Sequence, residues 1–285
     1  MIIYSVISLG AIGAIGSVIL YVVSQKFKVD EDPRIAEVQE ALPGANCGGC
    51  GYPGCAGFAD ACVKASTLDG LLCPVGGNPA MSRVAAILGL DAMADAPRIA
   101  VVRCNGTCDV RPRVNTYNGA PNCGIASSLC GGETGCSFGC LGYGDCVRAC
   151  TFGAIRINPD TQIAEVDEEK CTSCGACVKA CPKSLIELRK KGPKSRRIYV
   201  SCINRDKGGV ARKACTSACI GCNKCLKECA FDAIAIANNL AYIDDTKCRL
   251  CRKCVAACPT GSIHELNFPP RKEKEPEPSK PAVND

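Results

Sequence analysis

The stretch Cys171-Thr-Ser-Cys174-Gly-Ala-Cys177-Val-Lys-Ala-Cys181-Pro182 decides how this chain is read. Its C-x2-C-x2-C-x3-C-P spacing lets three thiolates in one tight loop grip three corners of a [4Fe–4S] cube. The fourth cysteine crosses to a neighbouring cube. The same spacing recurs at Cys248, Cys251, Cys254, Cys258 and Pro259. A third run, Cys219, Cys222, Cys225 and Cys229, keeps it with Ala230 in place of proline. Zinc and disulfides are the rival uses of so many cysteines. A zinc site draws its four ligands from two pairs, whereas each run here supplies four of its own. The cysteines number 27, an odd count, in a chain of 285 residues whose one histidine is His264. That suits neither a short disulfide scaffold nor a Cys/His zinc domain. Thiolates that bind metal must stay reduced, so the cysteine-bearing part is expected to face a reducing compartment.

Outward from this run the chain repeats itself. Arg98-Ile-Ala-Val-Val-Arg-Cys104 is echoed by Arg196-Arg-Ile-Tyr-Val-Ser-Cys202, and Cys136, Cys140, Cys146 and Cys150 match Cys215, Cys219, Cys225 and Cys229 in spacing. Each copy then runs through a hairpin to a full cysteine run and a closing strand, at 185–188 and 262–266. Asn158-Pro159-Asp160-Thr161 suits a longer turn, while Asn238-Asn239 tolerates the positive φ of a two-residue one. Each copy is expected to be a two-cube module. Where the second has Cys222 the first has Tyr143, and Cys136 is the expected replacement. The ligand sets expected are therefore Cys136, Cys140, Cys146 and Cys181; Cys150, Cys171, Cys174 and Cys177; Cys219, Cys222, Cys225 and Cys258; and Cys229, Cys248, Cys251 and Cys254. Cys215 is left without work.

Upstream, Cys47-Gly-Gly-Cys50-Gly-Tyr-Pro-Gly-Cys55 precedes Cys73-Pro74. Its glycines let a loop wrap closely round a cube. Residues 56–65 read as a helix, after which Cys73 returns as fourth ligand. Five clusters are thus expected. Of the seven cysteines left over, Cys62 reads as a buried small apolar residue, and Cys202 and Cys215 stay unassigned. Cys104, Cys108, Cys123 and Cys130 are a loosely spaced candidate for a sixth cluster; if they hold one, serine at 104 removes about four irons. His264 reads as a strand residue, not a ligand. Lys179, Lys224 and Lys253 read as solvated helix residues.

The first 23 residues, MIIYSVISLGAIGAIGSVILYVV, carry no charge. Residues 2–23 make about 33 Å of helix, against about 30 Å of bilayer hydrocarbon. The positive n-region and cleavage site of a signal peptide are missing. Lys26 and Lys28 follow at once, which by the positive-inside rule predicts a single span with the bulk of the chain cytoplasmic. Ser5, Ser8, Ser17, Gly10, Gly13 and Gly16 give that span small-residue faces. The net charge is +6. The basic stretch 189–197 reads as a solvated linker or as a docking patch for an acidic electron carrier. Residues 269–285 are proline- and charge-rich, as disordered tails are. With no tryptophan, few aromatics and no binding motif, nucleic acid is not an expected partner. The fold expected is α+β, in small cluster-stabilised units: an anchor (1–25), an N-terminal [4Fe–4S] domain (26–92), two modules (97–190 and 196–267) and a tail (268–285).

The order of these parts, with 43–55 reading PGANCGGCGYPGC and 139–146 reading GCLGYGDC, resembles the B subunit of the Rnf complex, a membrane-bound ion-translocating ferredoxin:NAD oxidoreductase. The modules are similar to two-cluster bacterial ferredoxins. The N-terminal motif alone also looks like the Fe–S domain of corrinoid iron–sulfur proteins. The resemblance implies a [4Fe–4S] electron-transfer subunit of a translocase, with soluble ferredoxin as donor and other membrane and peripheral Rnf subunits as partners. It implies Na+ or H+ translocation by those partners and residence in the cell membrane. The chain departs from the shortest family members by carrying a second module. It lacks a G-x-G-x-x-G loop, since Gly142-Tyr-Gly144 has no third glycine, so no catalytic residue is expected in it. Other classes fit the residues less completely: a polyferredoxin wire for another membrane enzyme such as a hydrogenase, or a redox-inert zinc scaffold.

Overall fold

The computed structural model describes residues 2–26, 32–91 and 96–270. Helix α1 spans Ile2–Lys26. Its described side chains run unbroken only over 10–24, about 22 Å of helix, and among the described residues no helix is long and apolar enough to cross a membrane. Lys28, and the expected tail from residue 271 onward, lie outside the described residues.

Three helices, α2 (Pro33–Ala41), α3 (Cys55–Lys64) and α4 (Gly77–Leu88), form the N-terminal unit. Asp32 caps α2 by accepting the Arg34 N–H at 2.9 Å, with Pro33 in the first turn where its missing N–H costs nothing. The apolar faces bury Val38, Phe58, Cys62, Met81 and Val84 in one core. Cys62 is fully buried there.

The rest is two copies of one plan. The first has β1 (Arg98–Val102), α5 (Cys123–Leu129), α6 (Asp145–Arg148), the hairpin β2 (Ile155–Ile157) and β3 (Ala164–Val166), α7 (Ala176–Ala180) and β4 (Ile186–Lys190). The second has β5 (Arg197–Val200), α8 (Gly208–Ala214), α9 (Lys224–Lys227), the hairpin β6 (Ile234–Ala237) and β7 (Leu240–Ile243), α10 (Lys253–Ala257) and β8 (Ile263–Leu266). In each copy the first strand pairs antiparallel with the last, Val102 opposite Ile186 and Val200 opposite Ile263. The two-residue turn is as expected, with Asn238 and Asn239 at φ 49° and 60°. In the longer turn the Asn158 side chain accepts the Asp160 N–H at 2.8 Å.

One backbone feature marks the plan four times. The residue that caps α6, α7, α9 and α10 is left-handed in each: Gly144, Gly175, Asn223 and Arg252, at φ 77°, 77°, 62° and 66°. The kink turns the loop so that the following helix starts on the next residue and carries a cysteine at its second position. At the first of these places the loop shape is kept although Tyr143 stands where a cysteine is usual.

The copies are clamped together. Ile99, Val101 and Tyr199 share a buried core. Arg103 donates to the carbonyls of Val200 and Cys202, both at 3.2 Å. Arg189 and Arg197 are each at most 3% exposed; Arg189 reaches Glu187 and the Ile243 carbonyl, and Arg197 pairs with Glu168. The reading of 189–197 as a solvated linker is corrected to that extent, because its two strand arginines are internal struts between the copies. Lys179, Lys224 and Lys253 are exposed.

Candidate iron–sulfur sites

In the second copy, Cys219, Cys222, Cys225 and Cys258 line one cavity, with about 320 Å³ of space free of protein atoms. Cys229, Cys248, Cys251 and Cys254 line another of about 310 Å³. In the first copy, Cys150, Cys171, Cys174 and Cys177 line a cavity of about 350 Å³. Burial lifts the thiols of Cys225 and Cys177 to about 11 and that of Cys254 to about 12, and the neighbouring thiols add to each rise. Cys258 moves the other way. Burial raises it, but hydrogen bonding from Ser262 (3.4 Å) and Thr260 (3.7 Å) outweighs this and leaves the thiol below its ordinary range.

The structure does not bring Cys136, Cys140, Cys146 and Cys181 together. A cavity of about 390 Å³ is lined by Cys140, Cys146 and Cys181 with Cys123. Burial pushes the Cys146 thiol up to about 12, and its neighbours Cys140, Cys181 and Cys123 add to the rise. Cys123 takes the place that Cys222 fills in the other copy. Asp145 holds it there, its carboxylate accepting the N–H groups of Cys123 and Gly124 at 2.9 and 3.1 Å. Tyr143 packs instead against Tyr117, the rings tilted by 49° with centroids 5.6 Å apart.

The loose set Cys104, Cys108, Cys123 and Cys130 is not gathered either. Cys108 and Cys130 are exposed and lie against the carbonyls of Thr161 and Ala126. Cys104 instead lines a cavity of about 310 Å³ with Cys136, Cys202 and Cys215. Cys215, left without work in the sequence reading, lines this cavity. Sequence reasoning missed Cys123, Cys202 and Cys215 at these cavities. The signal for Cys202 and Cys215 was present, because each has an aligned partner in the first copy.

In the N-terminal unit Cys50, Cys55 and Cys73 pack into one core. Asn46 accepts the Cys55 N–H at 2.8 Å, and the Gly76 N–H points at Cys73 Sγ at 3.3 Å. Cys47 is half-buried, three residues before Cys50. His264 sits on β8 beside Tyr199, ring centroids 6.2 Å apart, and burial depresses its pKa.

Four thiols lining one cavity are the donor set that a [4Fe–4S] cube takes. Among the described residues no group of three or more His, Cys, Asp or Glu is placed to hold a single metal ion. All 27 cysteines are free thiols. Backbone N–H groups aim at ligand sulfurs, Ala154 at Cys150 (3.3 Å) and Leu185 at Cys181 (3.4 Å), as the hydrogen bonds that tune cluster potential do.

Paired strands, short capped helices and cysteine-lined cavities define an iron–sulfur protein of the two-cluster type. The chain matches the 4Fe-4S dicluster domain family over residues 134–185 and again over 218–262, and the family described as "Putative Fe-S cluster" over 42–70. It is 47% identical over 256 residues to the B subunit of the Na(+)-translocating ferredoxin:NAD(+) oxidoreductase complex of Acetobacterium woodii, covering 90% of this chain and 75% of that protein. It is 40% identical to the B subunit of the ion-translocating oxidoreductase complex of Methanosarcina acetivorans, over 92% of this chain and 98% of the relative. To the B subunit of the proton-translocating ferredoxin:NAD(+) oxidoreductase complex of Clostridium ljungdahlii it is 38% identical, over 90% and 89%. The chain belongs to this family, the B subunits of the ion-translocating Rnf-type oxidoreductase complexes.

Proposed function

We propose that this chain takes electrons singly from a reduced soluble ferredoxin and delivers them to partner subunits of a membrane-bound ion-translocating complex. The observation that supports it is the succession of four-cysteine cavities. When bound, [4Fe–4S] clusters supply one-electron couples between about −700 and +450 mV. Their ligands in this reading are Cys47, Cys50, Cys55 and Cys73; Cys123, Cys140, Cys146 and Cys181; Cys150, Cys171, Cys174 and Cys177; Cys219, Cys222, Cys225 and Cys258; and Cys229, Cys248, Cys251 and Cys254. At entry ferredoxin is oxidised, and at exit an acceptor on a partner subunit is reduced.

The placement of residues gives this transfer a direction. The uncharged run 2–23, about 33 Å long as a helix, is read as a single span with Lys26 and Lys28 on the cytoplasmic side, which ties the N-terminal unit to the membrane. The second module lies furthest along the chain. Its Cys222 and Cys251 are exposed, and beside them Leu226 and Phe231 stand 39% and 45% exposed. That edge is the docking surface for ferredoxin. Nicotinamide chemistry and the ion path are assigned to partner subunits, since this sequence offers no dinucleotide loop.

The test mixes the oxidised full chain, purified without oxygen, with a reduced two-cluster ferredoxin in a stopped-flow cell. Rapid bleaching of the chain's visible absorbance is expected, slowed by Leu226→Asp. If dithionite bleaches the chain but reduced ferredoxin does not, the assignment of the donor is wrong.

A further inference from the structure

We propose that Cys104, Cys136, Cys202 and Cys215 hold a further [4Fe–4S] cluster at the junction of the two modules, each module giving an equivalent pair. The inference rests on the reading that the other four-cysteine cavities hold cubes. Cys104 and Cys202 follow the first strand of their respective copies, and Cys136 and Cys215 each stand four residues before Cys140 and Cys219. The matched families begin at residues 134 and 218, so both strand-end cysteines lie outside the first match and Cys215 lies outside the second.

Composition, hydrogen bonding and charge all point the same way. The cavity is lined by four cysteines, as are those of the cysteine runs. Each of its four sulfurs has its own hydrogen-bonding neighbour. The Cys140 N–H lies 3.5 Å from Cys104 Sγ, Asn204 Nδ2 3.6 Å from Cys136, Asn204 N–H 3.4 Å from Cys202, and Ser217 Oγ 3.3 Å from Cys215. Asn204 is 1% exposed and comes from the second copy, yet it serves a sulfur from each.

Arg111 also lines this cavity and is 6% exposed. Its Nε has no hydrogen-bond partner, and among the described residues no carboxylate is paired with it. A buried cation left uncompensated is strongly unfavourable. A cube held by four thiolates carries net negative charge and would supply the missing counter-ion. Gly106 and Gly139 leave the room Arg111 occupies, since a Cβ at either would press on its side chain.

The position matters as much as the chemistry. On one side Leu185 lines both this cavity and the one holding Cys123 and Cys181. On the other, Ala218 lines it and is followed directly by Cys219 of the next site. Without a site here, the pairs of cavities in the two modules would be separate runs; with one, they join.

The test measures iron and acid-labile sulfide in the full chain purified without oxygen, together with Cys202→Ala/Cys215→Ala and the exposed control Cys108→Ala. About 24 irons are expected in the native chain and the control, and about 20 in the double variant. About 20 in all three overturns the junction cluster and leaves the electron-transfer reading intact, whereas little iron in the native chain sinks both. If the double variant loses all its iron by misfolding, Arg111→Met decides. Removal of that cation should shift one cluster's midpoint potential downward with the iron content unchanged, and an unshifted set of potentials overturns the proposal.

Discussion

Cys123 reaches its place through Asp145, which caps the first turn of α5 with two hydrogen bonds. Cys123→Ala is therefore expected to remove about four irons per chain, while Cys130→Ala, on an exposed thiol at the other end of the same helix, removes none; iron analysis checks both. This ligand was hard to read from sequence because it comes from an insertion with no counterpart in the second copy. Tyr143 announced that a cysteine was missing, but nothing local said where its substitute lay. Cys104 and Cys136 were a different matter. Their alignment with Cys202 and Cys215 was legible, but its use was hidden because the two pairs meet only across the junction between modules. His264 gives a pH test at the same scale. Burial depresses its pKa below the ordinary 6.5, so both states are neutral above that pH and only the unfolded state takes up a proton readily just below it. Stability should fall as pH drops below about 6.5, and fall less in His264→Gln, as read from the midpoint of thermal loss of visible absorbance. The iron content of that variant should be unchanged.

The elements were largely legible. Short β-branched runs gave the strands, Asn238-Asn239 gave the tight turn, and the expected helix at 56–65 lies one residue from α3 (Cys55–Lys64). The hairpins matter because glycine lets the cysteine loops pass beneath them. A Cβ at Gly221 would lie 2.7 Å from the Asn239 carbonyl, and one at Gly142 would lie 3.0 Å from that of Gln162. The turn therefore sets the roof of a candidate site. Asn239 sits at φ 60°, a region in which a β-branched residue is strained by about 1–2 kcal/mol. Asn239→Val should lower the thermal midpoint, with a smaller loss for Asn239→Gly. What the strands concealed was the role of Arg189 and Arg197. A charge run gives no sign of which side chains face another copy of the same fold, so their burial at the junction was not readable.

At the scale of the whole molecule the candidate sites form one succession. The N-terminal loop meets the first module so closely that a Cβ on Gly49 would lie 2.7 Å from the Cys174 carbonyl, which sets the Cys47–Cys50 loop against the site holding Cys171, Cys174 and Cys177. Cys177 stands near enough to Cys146 to add to the rise of its thiol pKa, and Cys225 does the same to Cys254 in the second module. The junction cavity lies between the two pairs. With cubes held in these cavities, such an arrangement would move single electrons from one site to the next. The most direct test is the iron, acid-labile sulfide and zinc content of the native chain, purified without oxygen. The account predicts iron and sulfide in equal amounts, about 24 of each with the junction site and about 20 without it, and negligible zinc. Stoichiometric zinc with little iron would contradict it.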